Sequence, residues 1–476
     1  MGKWTRRGVL SAGVLGGTGL VIGIAVRPGN PTETAGHLVL GEDENLLHIY
    51  LKIDGDNRAT AILPHSEMGQ GAQTALTQML AEEMDADWNL MRFEEAPANA
   101  EYANMAVGRG YLFKGIDFPD VVVPTVDGLM LNLADALGMQ ITGGSMSIRT
   151  TGQYFLRAAG ASVREMLVKT ASKAWGVPES EIRTAKSMLH HDSSGRLAPY
   201  SEFAAAAAEM TPSSTPKLKK TSQFSIMGHS KPRHDIPSKV DGTAMFAMDV
   251  KRPGMVYAAV KRTPVAGGTL RRVDDNAARA MKGVIDVVKV GPSSAAGLVG
   301  TYSAGDTIAV VADSYWTAEK ALASLKLEWN TEGKERVSSE SIFEQFDRDI
   351  TAGVDRANDV AMGDATAAFD SAATVLTADY RVPYLAHTCM EPPNATAEVF
   401  ADRAEIWVGC QNPLGFRQHL AANLGLDVQQ VTLHNYFMGG GFGRKSNADY
   451  ALQAAMIARQ VGRPVQMVYS LSLIHI

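Results

Sequence analysis

The sequence predicts a mixed α+β (α/β-like), multidomain protein, and three observations predict it. Short β-branched runs alternate with stretches of helical apolar spacing along most of the chain. Three polar turns containing glycine each lead into such a helical stretch: Pro64–Gly71, Thr142–Gln153 and Met438–Ser446. With 476 residues, 45% hydrophobic and 20% charged, the chain is ordinary globular material, enough for about two to four domains.

Residues 1–26 stand apart. Lys3, Arg6 and Arg7 precede the apolar run Val9–Val26, which contains five glycines. A charged start followed by a weakly apolar segment is an export-signal layout, and the pair Arg6-Arg7 points to the twin-arginine route. The expectation is a periplasmic or periplasm-facing protein, with residues 9–26 either cleaved or kept as an inner-membrane anchor. The bland alternative is a disordered tail.

Residues 27–44 read as a polar linker. Asn45–Leu63 alternates as strands, with Asp54-Gly55-Asp56-Asn57 as the hairpin turn. Pro64–Gly71 then opens a helix over Ala72–Asp85, whose Leu76, Met79, Leu80 and Met84 share a face. Glu67 and Gln70 fit either ligand contact or ordinary capping. Thr142–Gln153 opens a helix from Tyr154 to about Trp175, stopped by Gly176-Val177-Pro178; Ser145 and Ser147 either donate to a ligand or cap that helix. His190-His191 reads as a solvated loop, and Tyr200–Met210 as a short helix. Thus 45–210 forms one lobe, and 211–238, rich in Ser, Pro and Lys, is a linker.

From 239 to 330 the pattern is a small α+β unit. Its strands are Met255–Lys261, Val284–Val290, Thr307–Ala312 and Lys326–Trp329, with a helix at Ser314–Leu325. Residues 331–371 are polar, a linker wrapped over the surface. Strand character resumes at Ala372–Tyr384 and again at Glu405–Cys410; a helix is expected from Gly415 to Leu424. Val428–Phe437 is a strand entering the last turn, and Asn447–Gln460 a helix leaving it.

Four of the nine residues in Met438–Ser446 are glycine. Glycine lets backbone lie directly against a ligand and adopt positive φ, so such a turn presents N–H groups to oxo or oxyanion ligands. A dinucleotide fingerprint fails, because the sixth residue from Gly439 is Arg444 and from Gly441 is Ser446. A P-loop fails too, since Gly443 is followed by Arg444-Lys445. A nicotinamide dehydrogenase is therefore disfavoured. Net charge is −6 with no basic stripe, so no nucleic-acid partner is expected. Two cysteines, Cys389 and Cys410, allow one disulfide at most, and an iron–sulfur cluster normally takes four.

Five stretches in order carry a resemblance. They are Glu67–Gly71, Thr142–Ser147, Lys239–Val250, Ala386–Ala397, and Gln411-Asn412 with Gly439–Arg444. In these the chain resembles the molybdenum-binding large subunits of the xanthine dehydrogenase superfamily. The closest branch is isoquinoline 1-oxidoreductase beta subunits and membrane-bound aldehyde dehydrogenase large subunits. The resemblance implies a molybdenum-hydroxylase large-subunit architecture, with 239–330 as a hammerhead-like domain and 372–470 as the first, incomplete part of the main molybdenum-binding domain. It implies a molybdenum cofactor, Mo-molybdopterin as the cytosine dinucleotide, with the metal held through the pterin dithiolene and not by protein side chains. Gly69, Gln70, Gly71, Ser145 and Ser147 would hold pterin and pyrophosphate. Gln411 would donate to the apical oxo, with Gly440, Gly441, Phe442, Gly443 and Arg444 lying beside the metal. His387 and Glu391 match a pair that is either support for the site or structural.

The implied reaction is hydroxylation of an aldehyde or N-heteroaromatic carbon with water. Electrons would pass to a separate small [2Fe–2S] subunit, with a cytochrome c as a further acceptor. Two departures bear on this. The family's general-base glutamate, in a Gly-x-Gly-Glu context, has no match here, so no catalytic residue is assigned. The glutamate of the purine-oxidising members is replaced by Ser446, which argues against a purine substrate. Residues 471–476 read as a non-native tail, since they back-translate onto a transposon end used in library preparation. The expectation is a fragment, inactive alone; a non-catalytic exported binding or scaffold protein of the same fold is the competing reading.

Overall fold

The computed structural model describes residues 31–104, 119, 122–213, 215–265, 267–297, 300–333, 337–353 and 362–474. The expected signal at 1–26 and the last two residues of the expected tail lie outside these.

The first lobe is built on a four-stranded sheet of β1 (Glu44–His48), β2 (Leu51–Asp54), β3 (Ala59–Leu63) and β4 (Met91–Glu95), in that order. The β2–β3 turn falls where the Asp-Gly-Asp-Asn run predicts it: Asn57 takes φ 63° and Asp54 Oδ1 accepts from Arg58 N–H at 2.8 Å. Residues 27–44 are not all linker, because α1 (Pro31–Val39) turns Ala35 into the core. Helix α2 (Ala72–Glu83) begins after Gly71, and α3 (Val123–Ala136) follows β4.

The helix predicted from Tyr154 starts earlier. Ser147–Leu156 is π-helical and runs straight into α4 (Arg157–Trp175), which stops at Gly176 with φ 66°. Gly152 in the wide turn faces α2 so closely that a Cβ would lie 2.4 Å from Met79 Sδ. The sequence signal misses this start because the Gly-Ser-rich turn has no apolar stripe. His190 and His191 belong to a strand rather than a loop, in a small sheet of β5 (Ile182–Ala185), β6 (Met188–His191) and β7 (Arg196–Pro199). His191 is buried and bonds Glu181 at 2.9 Å. Helix α5 (Tyr200–Ala208) closes the lobe. The 211–238 stretch is strapped to α2 by two buried carboxylates. Glu82 accepts from Ser225 and Met227 N–H, and Glu83 accepts from Lys219 N–H at 2.9 Å.

The second half is organised by one seven-stranded sheet. Its strands are β8 (Val256–Arg262), β10 (Val284–Val290), β13 (Thr307–Ala312), β15 (Asn394–Val399), β16 (Ala404–Val408), β17 (Val431–Asn435) and β18 (Val465–Val468). Between them, β9 (Thr269–Asp274) pairs β14 (Lys326–Asn330), and β11 (Ser293–Gly297) pairs β12 (Gly300–Ala304). The order is β10-β13-β8-β18-β15-β16-β17. The strands of 239–330 and of 372–470 therefore share ladders across the boundary the sequence suggests, through the parallel pair β18–β8.

Strand β13 is buried on both faces, as its unbroken apolar run requires. Ile308, Val310 and Ala312 meet α6 (Tyr315–Ser324), while Ala309 and Val311 meet the core under α8 (Pro413–Leu424) and α9 (Asp449–Val461). Helix α7 (Ser339–Ala352) lies within the 331–371 wrap.

Ala372–Tyr384 is not a strand. It is irregular and exposed, with Leu376 and Tyr380 each 90% accessible. Its β-branched and alternating residues fit a pleat, but a strand also needs a ladder partner, and among the described residues none lies beside it. Leu471–Ile474 forms a helical turn with Leu473 buried.

Candidate functional site

Gln411 lies in the loop after β16 and is buried. Its backbone carbonyl accepts from Thr142 N–H at 2.8 Å, and its Nε2 donates to the Thr142 carbonyl at 2.9 Å. Its Oε1 accepts from Gly443 N–H at 3.0 Å, and its own N–H donates to Lys445 O at 2.9 Å. One residue thus ties the Thr142 segment to the glycine turn. The third turn closes on the same place. Met438 N–H donates to Glu67 O at 3.0 Å, and a Cβ on Gly441 would meet Gln411 Oε1 at 2.7 Å and Met68 Sδ at 3.0 Å. Residues 67–71, 142–147, 411 and 439–445, far apart in sequence, therefore converge.

Backbone conformation marks these turns. Gly69, Gly71, Gly144, Gly440 and Gly443 have positive φ, and so do the non-glycines Ser145 (61°) and Phe442 (49°). Non-glycine residues held there carry strain that the surrounding packing must offset, and such positions cluster at ligand sites. Phe442 is 67% exposed although it sits in the turn's centre.

The N–H groups divide into engaged and free. Glu67, fully buried, accepts from Gly69 and Gly71 N–H at 2.9 Å each and from Gln73 N–H at 3.4 Å, so the start of α2 is already satisfied by its own carboxylate. Arg233 Nη2 approaches the same carboxylate at 3.4 Å. Gln70 closes its turn by bonding Ser66 O and Met68 N–H. Among the described residues, no acceptor is within reach of the N–H groups of Gly143, Gly144 and Ser145, nor of Gly440, Gly441 and Phe442. Two short rows of free amides thus flank the Gln411 side chain. A cavity of about 630 Å³ opens beside Gly144 and Ser145, with Arg149, Gln153 and Tyr154 on its wall. Ser147 is buried as the first residue of the π-helix.

Arg444 turns away from this surface. It forms a two-pronged pair with Asp449, both contacts 2.8 Å, and stacks toward Tyr469. His387 and Glu391 also separate: His387 is exposed, whereas Glu391 is buried against Lys445 at 2.7 Å. Cys389 and Cys410 are both buried free thiols, and burial pushes both upward from the usual thiol range.

Some contributions are not legible within their motifs. Thr142 and Lys445 lie in turns the sequence marks, but nothing in those turns predicts that they bond Gln411. His65 bonds Thr142 and Thr151 hydroxyls at 3.3 and 2.7 Å, and burial pulls its ring down to about 3, so it is a neutral connector. Glu95 receives Ser66, Gln73 and Asn435, and burial pushes it up to about 7.

Among the described residues the site is made of free backbone amides, glycine and a neutral carboxamide, with Arg149 on the cavity wall and Arg233 beside Gly71. Residues 348–473 match the molybdopterin cofactor-binding domain. The chain is 30% identical to the beta chain of isoquinoline 1-oxidoreductase from Brevundimonas diminuta, over 89% of this chain and 54% of that protein. It is 28% identical to membrane-bound aldehyde dehydrogenase (pyrroloquinoline-quinone) of Gluconacetobacter polyoxogenes, over 98% and 56%. It is 28% identical to the large molybdopterin subunit of nicotinate dehydrogenase from Eubacterium barkeri, over 52% and 62%. The chain is thus similar to molybdenum-binding subunits of the xanthine dehydrogenase family. It spans about half the length of the first two of these curated relatives.

Proposed function

We propose that this chain is the cofactor-holding part of a molybdenum hydroxylase large subunit acting on an aldehyde or an N-heteroaromatic compound. The observation that carries this is the convergence of three turns on Gln411, with two rows of free amides beside it. Bound molybdopterin would supply oxygen transfer from water and two-electron redox chemistry.

The residues fit that group. Pterin and pyrophosphate need many short neutral donors, and Gly143–Ser145 and Gly440–Phe442 offer them from fixed backbone. The glycines on either side of Phe442 let backbone approach a ligand without side-chain interference; at Gly443 and Gly69 a Cβ would meet nothing within 4 Å. Gln411 does not titrate, and the second N–H of its Nε2, beside the one given to Thr142 O, would be available to a metal oxo at any pH. Ser145 lines the cavity, which would take the cytosine dinucleotide tail. Gly69, Gln70 and Gly71 shape this wall rather than donate, since Glu67 holds the glycine amides and Gln70 bonds within its own turn. Arg444 supports the turn through Asp449.

Activity belongs to the whole protein in this reading. No residue present is assigned as the general base, and electrons would leave through a small [2Fe–2S] subunit and then a cytochrome c. The Arg6-Arg7 start supports export to the periplasm. The test is expression of the full-length gene with a neighbouring small, cysteine-rich subunit, followed by metal analysis, pterin fluorescence and nucleotide release on acid hydrolysis. One molybdenum with CMP release is expected. Folded protein free of molybdenum and pterin would favour a non-catalytic scaffold instead.

A further inference from the structure

Glu391 and Lys445 form a buried ion pair that the site's chemistry does not use. Lys445 is fully buried, and its Nζ lies 2.7 Å from Glu391 Oε2. The same Oε2 accepts from Gly439 N–H at 3.0 Å, while Oε1 accepts from Met248 N–H at 3.3 Å and Asn394 Nδ2 at 3.2 Å. The Glu391 backbone N–H donates to Gly439 O at 3.0 Å, so Gly439 is gripped on both sides. A Cβ on Gly439 would sit 2.6 Å from Glu391 Cβ, which leaves glycine as the only residue that fits the grip. Lys445, at the other end of the turn, accepts Gln411 N–H on its carbonyl and donates its own N–H toward Gly441 O.

We propose that Glu391 and Lys445 are positioning residues: their pair latches both ends of the glycine turn and thereby sets Gly440–Phe442 and Gln411 in register. A buried pair of this kind is weak evidence for stability as such, since apolar replacements of both partners are often neutral; its attested use is to fix one arrangement among several. Here the arrangement is visible. The carboxylate joins three segments, the 439–445 turn, Met248 and its own 391–394 stretch, and its cation is a member of the turn itself. Cys389, two residues before Glu391, lies under the turn with Sγ 3.6 Å from Gly441 O, so its protection reports on whether the turn is closed.

What the latch is for rests on reading the turn as a cofactor wall, but the latch itself is measurable in the cofactor-free full chain. Hydrogen exchange over 438–446 and iodoacetamide labelling of Cys389 and Cys410 would be compared for the parent, Lys445→Met and the double variant Glu391→Gln/Lys445→Met. The single variant strands a buried carboxylate and is expected to melt lower; the double variant removes both charges and is expected to melt near the parent. In the double variant the turn amides and Cys389 should still open at least about tenfold faster while Cys410 stays protected, the signature of a local rather than global opening. Exchange and Cys389 labelling that return to the parent rates together with the melting point would overturn the proposal, because the pair would then only stabilise the fold.

Discussion

Thr142 and Gln411 hold each other twice: Thr142 N–H donates to the Gln411 carbonyl at 2.8 Å, and Gln411 Nε2 returns to the Thr142 carbonyl at 2.9 Å. With Oε1 on Gly443 N–H, the side chain has both ends fixed inside the protein. Gln411→Leu keeps much of the volume but orphans one carbonyl and one N–H. A loss of about 1–3 kcal/mol per orphaned group is expected in urea unfolding. Gln411→Glu should not rescue, because a carboxylate cannot donate to Thr142. An unchanged midpoint in either variant would mean that water replaces the amide.

The glycines of the turn should differ in kind. At Gly439 and Gly441 the obstacle is steric: a Cβ meets Glu391 Cβ at 2.6 Å or Gln411 Oε1 at 2.7 Å. At Gly443 the space is open and only φ 88° opposes a side chain. Gly443→Ala is thus expected to cost about 1–2 kcal/mol, and Gly439→Ala more, since backbone must move. Thermal melts of the three alanine variants rank them, and Gly443→Ala as the worst would contradict this geometry.

Glu95 should make stability depend on pH near neutrality. Burial pushes its carboxyl from 4.5 up to about 7, against the pull of hydrogen bonds from Asn435, Ser66 and Gln73. A raised carboxyl favours protons in the folded state, so its contribution is complete below about 4.5 and is lost as pH rises through about 7. The window corresponds to a change on the order of 3 kcal/mol. Glu95→Gln should flatten the melting temperature between about pH 5 and 8 relative to the parent. A parent curve already flat over that range would rule it out.

The exposed run Leu376–Tyr384 should govern solubility. Leu376, Tyr380, Val382 and Tyr384 recur at even spacing along it and are all more than half exposed. An exposed apolar run of β-forming composition is a template for intermolecular pairing. Leu376→Lys with Val382→Lys should raise the concentration at which light scattering begins, with no change in melting temperature. A drop in melting temperature would instead place these side chains in the fold.

Local pieces of this protein are legible in its residues alone. The hairpin at Asp54–Asn57, the helices after Gly71 and before Gly176, and the glycine turn between β17 and α9 are each written in a few neighbouring residues, because φ preference and apolar period act over one or two turns. The order of the motifs likewise points to molybdopterin-binding proteins. What those pieces do to one another was settled only by packing. Glu391 and Lys445 meet across a sequence separation of 54, and nothing local to either predicts a buried pair. For Glu67 the residues leave ligand contact and capping both open, and only the packed turn shows that it takes the Gly69 and Gly71 amides. Ala372–Tyr384 has the composition of a strand yet lacks a neighbour among the described residues, and the ladders of β8 and β18 cross a boundary that composition suggested. Pairing, burial and hydrogen-bond satisfaction are properties of two surfaces brought together, so a single stretch of sequence carries only half of each.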